Sequence, residues 1–154
     1  MKISLIRAEA SDAETIWAMQ KRAFAEMLEK YRDYETSPAA EPLSKTETRL
    51  SQPFTYFYFI SVDSVNVGAV RIIDKHDGTR KRISPLFILP DYRRRSYAMR
   101  AVEEAEKIHG RTGWELDTVL QEEAACRLYE KLGYQLTGER KTVNPQLTLV
   151  YYEK

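Results

Sequence analysis

The segment from Phe54 to Val62, FTYFYFISV, is almost wholly apolar and dense in aromatic and β-branched residues. It lacks the polar alternation of a half-exposed strand, and so reads as a strand buried on both faces. Such a strand lies inside a sheet, and the rest of the chain has to supply its neighbours and its cover. Asp63 to Asn66 reads as a turn, and Val67 to Ile73 as a strand pairing back, with Gly68 near its start. Asp77-Gly78 marks a second turn. Arg82 to Leu89 follows as a strand that ends at Pro90. Pro85 inside it cannot donate to a ladder, which predicts a bulge or an unpaired edge there.

The flanks supply the cover. Lys2 to Arg7 is a first strand carrying Ile3 and Leu5. Ser11 to Glu14 fits a capping box, and the helix after it places Ile16, Met19, Ala23, Met27 and Tyr31 on one stripe. Asp33 to Pro53 loses this period and holds Pro38, Pro42 and Pro53, so it reads as a loop with a short helix around Ser44 to Leu50. From Ser96 the period is helical again, with Ala98, Ala101, Val102, Ala105 and Ile108 inward and Gly110 as the stop. Trp114 to Leu120 is a strand, and Glu122 to Leu132 a helix with Ala125, Leu128 and Leu132 inward. Tyr134 to Glu139 and Gln146 to Tyr152 are the closing strands. No repeat or linker interrupts this order, so residues 1–154 are expected to form a single domain, long enough for its own core.

Charge and composition exclude several classes. The 24 basic and 23 acidic side chains leave a net charge of +1, which argues against bulk attraction to nucleic acid or to an anionic membrane. Cys126 is the one cysteine, so no intrachain disulfide forms. With His76 and His109 as the only histidines, no metal site is expected. The opening MKISLIRAEASDAE turns acidic after a short apolar patch and reads as neither signal nor transit peptide. No apolar run approaches the roughly 20 residues of a membrane span, and a cytoplasmic protein is expected. Neither G-x-x-x-x-G-K-S/T nor G-x-G-x-x-G occurs, so nucleotide hydrolysis and dinucleotide oxidation find no support.

The chemistry concentrates where the strand ending at Leu89 turns into the helix after Ser96. A helix start offers unpaired amides and partial positive charge, an anion site in waiting. Here Arg93, Arg94 and Arg95 precede it, an arrangement unfavourable for the helix dipole unless an anion such as pyrophosphate sits there. A solvated basic turn paired with Asp91 is the other reading of the same residues.

Pro90-Asp91-Tyr92-Arg93-Arg94-Arg95-Ser96-Tyr97-Ala98 resembles the acetyl-CoA loop of the GNAT superfamily, Q/R-x-x-G-x-G/A after a strand that ends near a proline. Arg93 and Ala98 match its first and last positions, while Ser96 and Arg94 stand where glycine is usual or frequent. The resemblance implies that the amides of Arg94, Arg95, Ser96, Tyr97 and Ala98 hold the pyrophosphate, with arginine side chains adding contacts, and that Ile88 hydrogen-bonds the pantetheine arm. Leu128-Tyr129-Glu130-Lys131-Leu132-Gly133-Tyr134 is similar to the family's L-Y-x-x-x-G-F/Y. By that match Tyr129 is the general acid that protonates the departing thiolate; packing beside Leu128 is the alternative role. Glu122 occupies a position, seven residues earlier, where the family often has asparagine.

The fold implied is α/β (α+β), a GNAT-like mixed central sheet flanked by helices, with Arg82–Leu89 and Trp114–Leu120 as parallel strands splayed at the acetyl-CoA site. The activity implied is N-acetyl transfer from acetyl-CoA, without a metal, to a primary amine of a small molecule or peptide. A non-catalytic acyl-CoA-binding domain is the alternative, and homodimer formation is left open. No acid lies in Ile83 to Leu89; Asp117, Glu122 and Glu26 are candidate bases, with none selected. Tyr31, Asp33 and Tyr34 cluster where the family contacts its acceptor and would suit a cationic amine, a solvated loop being the other reading. His109 reads as a helix-end cation, Cys126 as a packed small side chain, and Arg80-Lys81-Arg82 as a solvated turn.

Overall fold

A computed structural model describes residues 2–154. The elements are β1 (Ile3–Arg7), α1 (Ala13–Tyr31), α2 (Leu43–Ser51), β2 (Thr55–Val62), β3 (Val65–Ile73), β4 (Lys81–Ile88), α3 (Tyr97–His109), β5 (Trp114–Val119), α4 (Glu123–Lys131), β6 (Gln135–Asn144) and β7 (Leu147–Glu153). One seven-stranded sheet runs β1-β2-β3-β4-β5-β7-β6. Every neighbouring pair is antiparallel except β4–β5, which is parallel. The expected mixed sheet flanked by helices is what the chain forms.

The unbroken apolar run of β2 follows from its place in this sheet. Phe57 and Phe59 pack with Ile16, Met19 and Ala23 of α1 on one face. Tyr58, Ile60 and Val62 pack with Ala101, Val102 and Ala105 of α3 on the other. A two-residue turn at Asp63 and Ser64, with φ of 48° and 69°, returns the chain into β3, its left-handed backbone matching the twist of the hairpin. β3 therefore begins at Val65, two residues earlier than the turn read over Asp63 to Asn66 allows. Gly68 lies where β3 and β4 approach most closely: a Cβ there would meet the Phe87 carbonyl oxygen at 2.1 Å.

Three local expectations change. Ser11 lies inside a short 3-10 turn, Ala10–Asp12, and the bond that fixes the start of α1 is Glu9 N–H to the Asp12 carboxylate at 2.8 Å. In the 33–53 segment the helix expected around Ser44 to Leu50 forms as α2, and a second 3-10 turn, Pro38–Ala40, orders part of what was expected as loop; the Ser37 hydroxyl accepts the Ala39 N–H of that turn. Ile108 is 56% exposed, because it lies at the edge of the buried stripe of α3, which continues through His109. The inner face of α3 instead includes Tyr97 and Glu106, and the buried Glu106 carboxylate accepts from Tyr134 at 3.0 Å and Lys154 at 2.9 Å.

Both consequences expected of Pro85 occur. The β3–β4 register steps from Val70↔Leu86 to Ile72↔Ile83, so Ser84 and Pro85 together oppose Arg71 in a bulge. On its other side β4 pairs with β5 only at Lys81↔Trp114 and Arg82↔Glu115. Beyond those two pairs the parallel strands part.

Candidate active site

The gap between the parted strands is lined by peptide groups. Leu89 N–H donates to Val67 O at 2.8 Å, toward β3. Strand alternation then turns the peptide groups of Ile88 and Leu86 the opposite way, into the gap. Buried peptide groups need partners, and one of these has an internal one: the Ile88 carbonyl accepts from Arg93 Nε at 3.0 Å. Arg93 Nη2 also reaches the Ala23 carbonyl of α1 at 2.5 Å, and its Nη1 lies 3.9 Å from Glu26. The first arginine of the turn is thus a clamp between α1 and the end of β4. Arg94, Arg95 and Ser96 are exposed beside it, while the Tyr97 side chain is buried in the core under α3. Arg94 and Ser96 both have φ of 63°. The two residues standing in glycine positions therefore keep the left-handed backbone that glycine takes without strain.

Tyr129 lies on α4, which packs against β5. It is 8% exposed, with its ring 5.7 Å from that of Tyr134 and 6.2 Å from that of Tyr152. Among the described residues nothing hydrogen-bonds its hydroxyl. Burial, and after it the neighbouring Asp117 and Cys126, push its phenol above the usual tyrosine range, so it keeps its proton at neutral pH. Asp117, on β5, is paired with Arg82 of β4 across the point where the strands part. That pair escapes a sequence reading because the partners lie on strands joined only by the parallel crossover. Its neighbours Arg80 and Lys81 are tied to backbone carbonyls of Trp114 and Thr112, so the basic run is a strap across β4 and β5 and not a solvated turn.

The residues at the mouth of the gap divide. Glu122 accepts from the Tyr31 hydroxyl at 2.5 Å and from Lys30 at 3.1 Å. The Tyr31 bond, and Lys30 with it, hold the Glu122 carboxyl below the usual carboxylate range against the cost of burial. The Tyr31 carbonyl in turn accepts from Asn144 at 2.9 Å, so the end of α1, the start of α4 and the β6–β7 turn meet here. Asp33 folds onto its own turn, accepting the Thr36 N–H at 3.0 Å and the Thr36 hydroxyl. Tyr34 is 65% exposed and lines a cavity of about 280 Å³ with Lys21, Leu28 and Glu29 on the outer side of α1. Tyr31, Asp33 and Tyr34 do not converge on one point.

His109 is not a helix-end cation in solvent. It is buried at the far end of α3 from the arginine turn, with Nδ1 2.8 Å from Asp74 Oδ2 and Nε2 2.8 Å from the Tyr58 hydroxyl. Burial pushes its imidazole below the usual value despite Asp74. The neutral ring then donates from Nδ1 to Asp74 and accepts at Nε2 from Tyr58. Among the described residues no group of three metal-ligating side chains gathers, and no helix is long and apolar enough to cross a membrane.

Comparison with known proteins agrees with this architecture. No curated protein matches the chain by sequence. Among solved structures it is similar to the spermidine N-acetyltransferase of Vibrio cholerae in complex with CoA and spermine, at 14% identity and TM-score 0.73, covering 97% of this chain and 93% of that one. It is similar to the ribosomal-protein-alanine N-acetyltransferase of Escherichia coli, at 14% identity and TM-score 0.72 over 98% and 92% of the two chains. It also resembles the PaiA N-acetyltransferase of Thermoplasma acidophilum in complex with coenzyme A, at 17% identity and TM-score 0.65 over 100% of both. At these identities the likeness is one of fold. The sequence model of the Acetyltransferase (GNAT) family matches residues 16–134, and the chain belongs to that family.

Proposed function

We propose that this chain transfers an acetyl group from acetyl-CoA to a primary amine of a small molecule or peptide. The observation that carries the reading is the parting of β4 from β5, which leaves strand peptide groups facing a gap in the middle of the sheet beside the basic start of α3. The Ile88 N–H serves the pantetheine arm as it would serve a neighbouring strand. The amides from Arg94 to Ala98, with the Arg94 and Arg95 charges, hold the pyrophosphate. The Leu86 N–H polarises the thioester carbonyl and stabilises the oxyanion. The amine nitrogen attacks that carbon, the C–S bond breaks, and Tyr129 gives its proton to the departing sulfur. The ammonium proton of the acceptor leaves to solvent, from which Tyr129 is reprotonated.

The test is thiol release from acetyl-CoA across a panel of amines that includes polyamines and peptide N-termini, the two kinds of acceptor named for the structural neighbours. Release with at least one acceptor is expected. Flat calorimetry with millimolar acetyl-CoA would overturn the reading. A second reading, acyl-CoA binding without turnover, draws on the lack of any acidic residue from Ile83 to Leu89. Tight binding with no release for any acceptor selects it.

A further inference from the structure

Arg71 is the one charged residue in β3. It is 6% exposed, although nothing in the reaction sequence above uses it. It stands opposite the bulged pair Ser84-Pro85, immediately before Leu86. Its guanidinium donates to three neutral oxygens: Ser84 O at 3.0 Å, Gln52 Oε1 at 3.1 Å and Thr55 Oγ1 at 3.3 Å. Among the described residues no carboxylate lies within ion-pairing distance. The acid that acts on it, Glu41, is itself paired with Arg49 at 2.9 Å, and Arg49 and Arg82 add like charge. Burial, and after it Arg49, lower the guanidinium to about 10, so it is still a cation at neutral pH.

A buried cation without a counter-ion is costly, and an apolar side chain would suit the core position better on stability grounds. Two features explain what the cation does there. Pro85 has no N–H, and neither Ser84 nor Pro85 has a register partner on β3; the Arg71 side chain supplies the donor that the bulge removes. Its rigid fork also reaches Gln52 and Thr55 at once, which a single ammonium cannot do, and so joins the start of β2 to β4. The carbonyl it grips lies two residues before the amide that faces the gap.

We propose that Arg71 is a positioning residue for acetyl transfer, gripping the Ser84 carbonyl across the bulge and so fixing the aim of the Leu86 N–H, with its unneutralised charge behind the same stretch of strand. The inference rests on the acetyltransferase reading. Negative charge develops on the thioester oxygen as the amine attacks, and preorganised positive potential there lowers the barrier without changing ground-state binding much.

Arg71→Gln and Arg71→Lys are compared with the parent by acetyl-CoA calorimetry, single-turnover transfer, and the infrared stretch of an isotope-labelled thioester carbonyl in bound acetyl-CoA. Arg71→Gln is expected to bind within about threefold of the parent and to transfer roughly 10- to 100-fold more slowly, less than the cost of losing an oxyanion donor outright. Its carbonyl band moves toward the free-solution frequency, and Arg71→Lys recovers part of both losses. A folded Arg71→Gln with the parent's rate and carbonyl frequency overturns the proposal, as does a loss confined to affinity. Where Arg71→Gln does not fold, Gln52→Ala removes one anchor of the guanidinium outside the sheet. A several-fold slower transfer with a shifted carbonyl band then supports the proposal, and an unchanged rate and band overturn it. A parent that binds no acetyl-CoA overturns the acetyltransferase reading, and this inference falls with it; a parent that transfers as fast as its variants overturns this inference alone.

Discussion

At Ser96 and Arg94 the conformation is glycine's and the side chains are not, each at φ of 63°. A side chain there costs about 1 kcal/mol relative to an unstrained site, so Ser96→Gly should raise stability by up to that amount in urea denaturation and leave acetyl-CoA affinity nearly unchanged. Lower stability would mean that the serine contributes more than its backbone shape. Ser96→Pro, which forces φ near −65° and deletes an amide, should abolish acetyl-CoA binding. At Tyr129 the ring fills space among Tyr134 and Tyr152 while, among the described residues, nothing hydrogen-bonds the hydroxyl, so the two roles separate cleanly. Tyr129→Phe should keep fold and acetyl-CoA affinity and slow single-turnover transfer by roughly 10²–10⁴-fold. An unchanged rate would assign the proton to water. These residues were legible from motif spacing, whereas their φ values were not, because a sequence match records side chains and not backbone. Arg71 was missed: its one signal is a charge interrupting the apolar VGAVRII, and its partners come from two segments distant in sequence, Gln52 and Thr55 in one and Ser84 in the other.

Among the elements, β2 was the most legible because a strand covered on both faces has no polar face to blur its pattern. α3 was read correctly as far as Ala105 and wrongly in its last turn. Continued at about 100° per residue, the stripe of Ala98, Val102 and Ala105 runs on through His109 and leaves Ile108 at its edge, so His109 is buried and Ile108 exposed. That burial gives the end of α3 a pH dependence. His109 has a folded pKa below its unfolded value of about 6.5, so the unfolded chain binds the proton more readily. The stability held by the neutral ring between Asp74 and Tyr58 is therefore fully present above about pH 6.5 and declines as pH falls from there toward the folded pKa. The urea midpoint should drop over that window. His109→Gln should be less stable than the parent at neutral pH and show a flatter dependence; a parent-like slope would place the titration on another group.

For the molecule as a whole, Lys81↔Trp114 and Arg82↔Glu115 are the only register pairs between β4 and β5 among the described residues, reinforced by the side chains of Arg80, Lys81 and Arg82. The sheet is thus four strands and three strands with a seam between them. Ligand that binds only the folded state stabilises it by mass action, about 2.7 kcal/mol at a hundred times the Kd. A ligand lying in the seam does something more local: it takes the place of an absent strand. Amide hydrogen exchange should show β4 residues near the seam, Leu86 and Ile88, exchanging by local opening faster than the β2–β3 ladder. Saturating acetyl-CoA should slow them far more than it slows β2 or β3, and uniform slowing across the sheet would count against a bridging position. On the proposed function, a cosubstrate in the seam would extend cooperativity to its edge: the free edge of β4 is expected to open locally when the seam is empty and only with the rest of the sheet when it is filled.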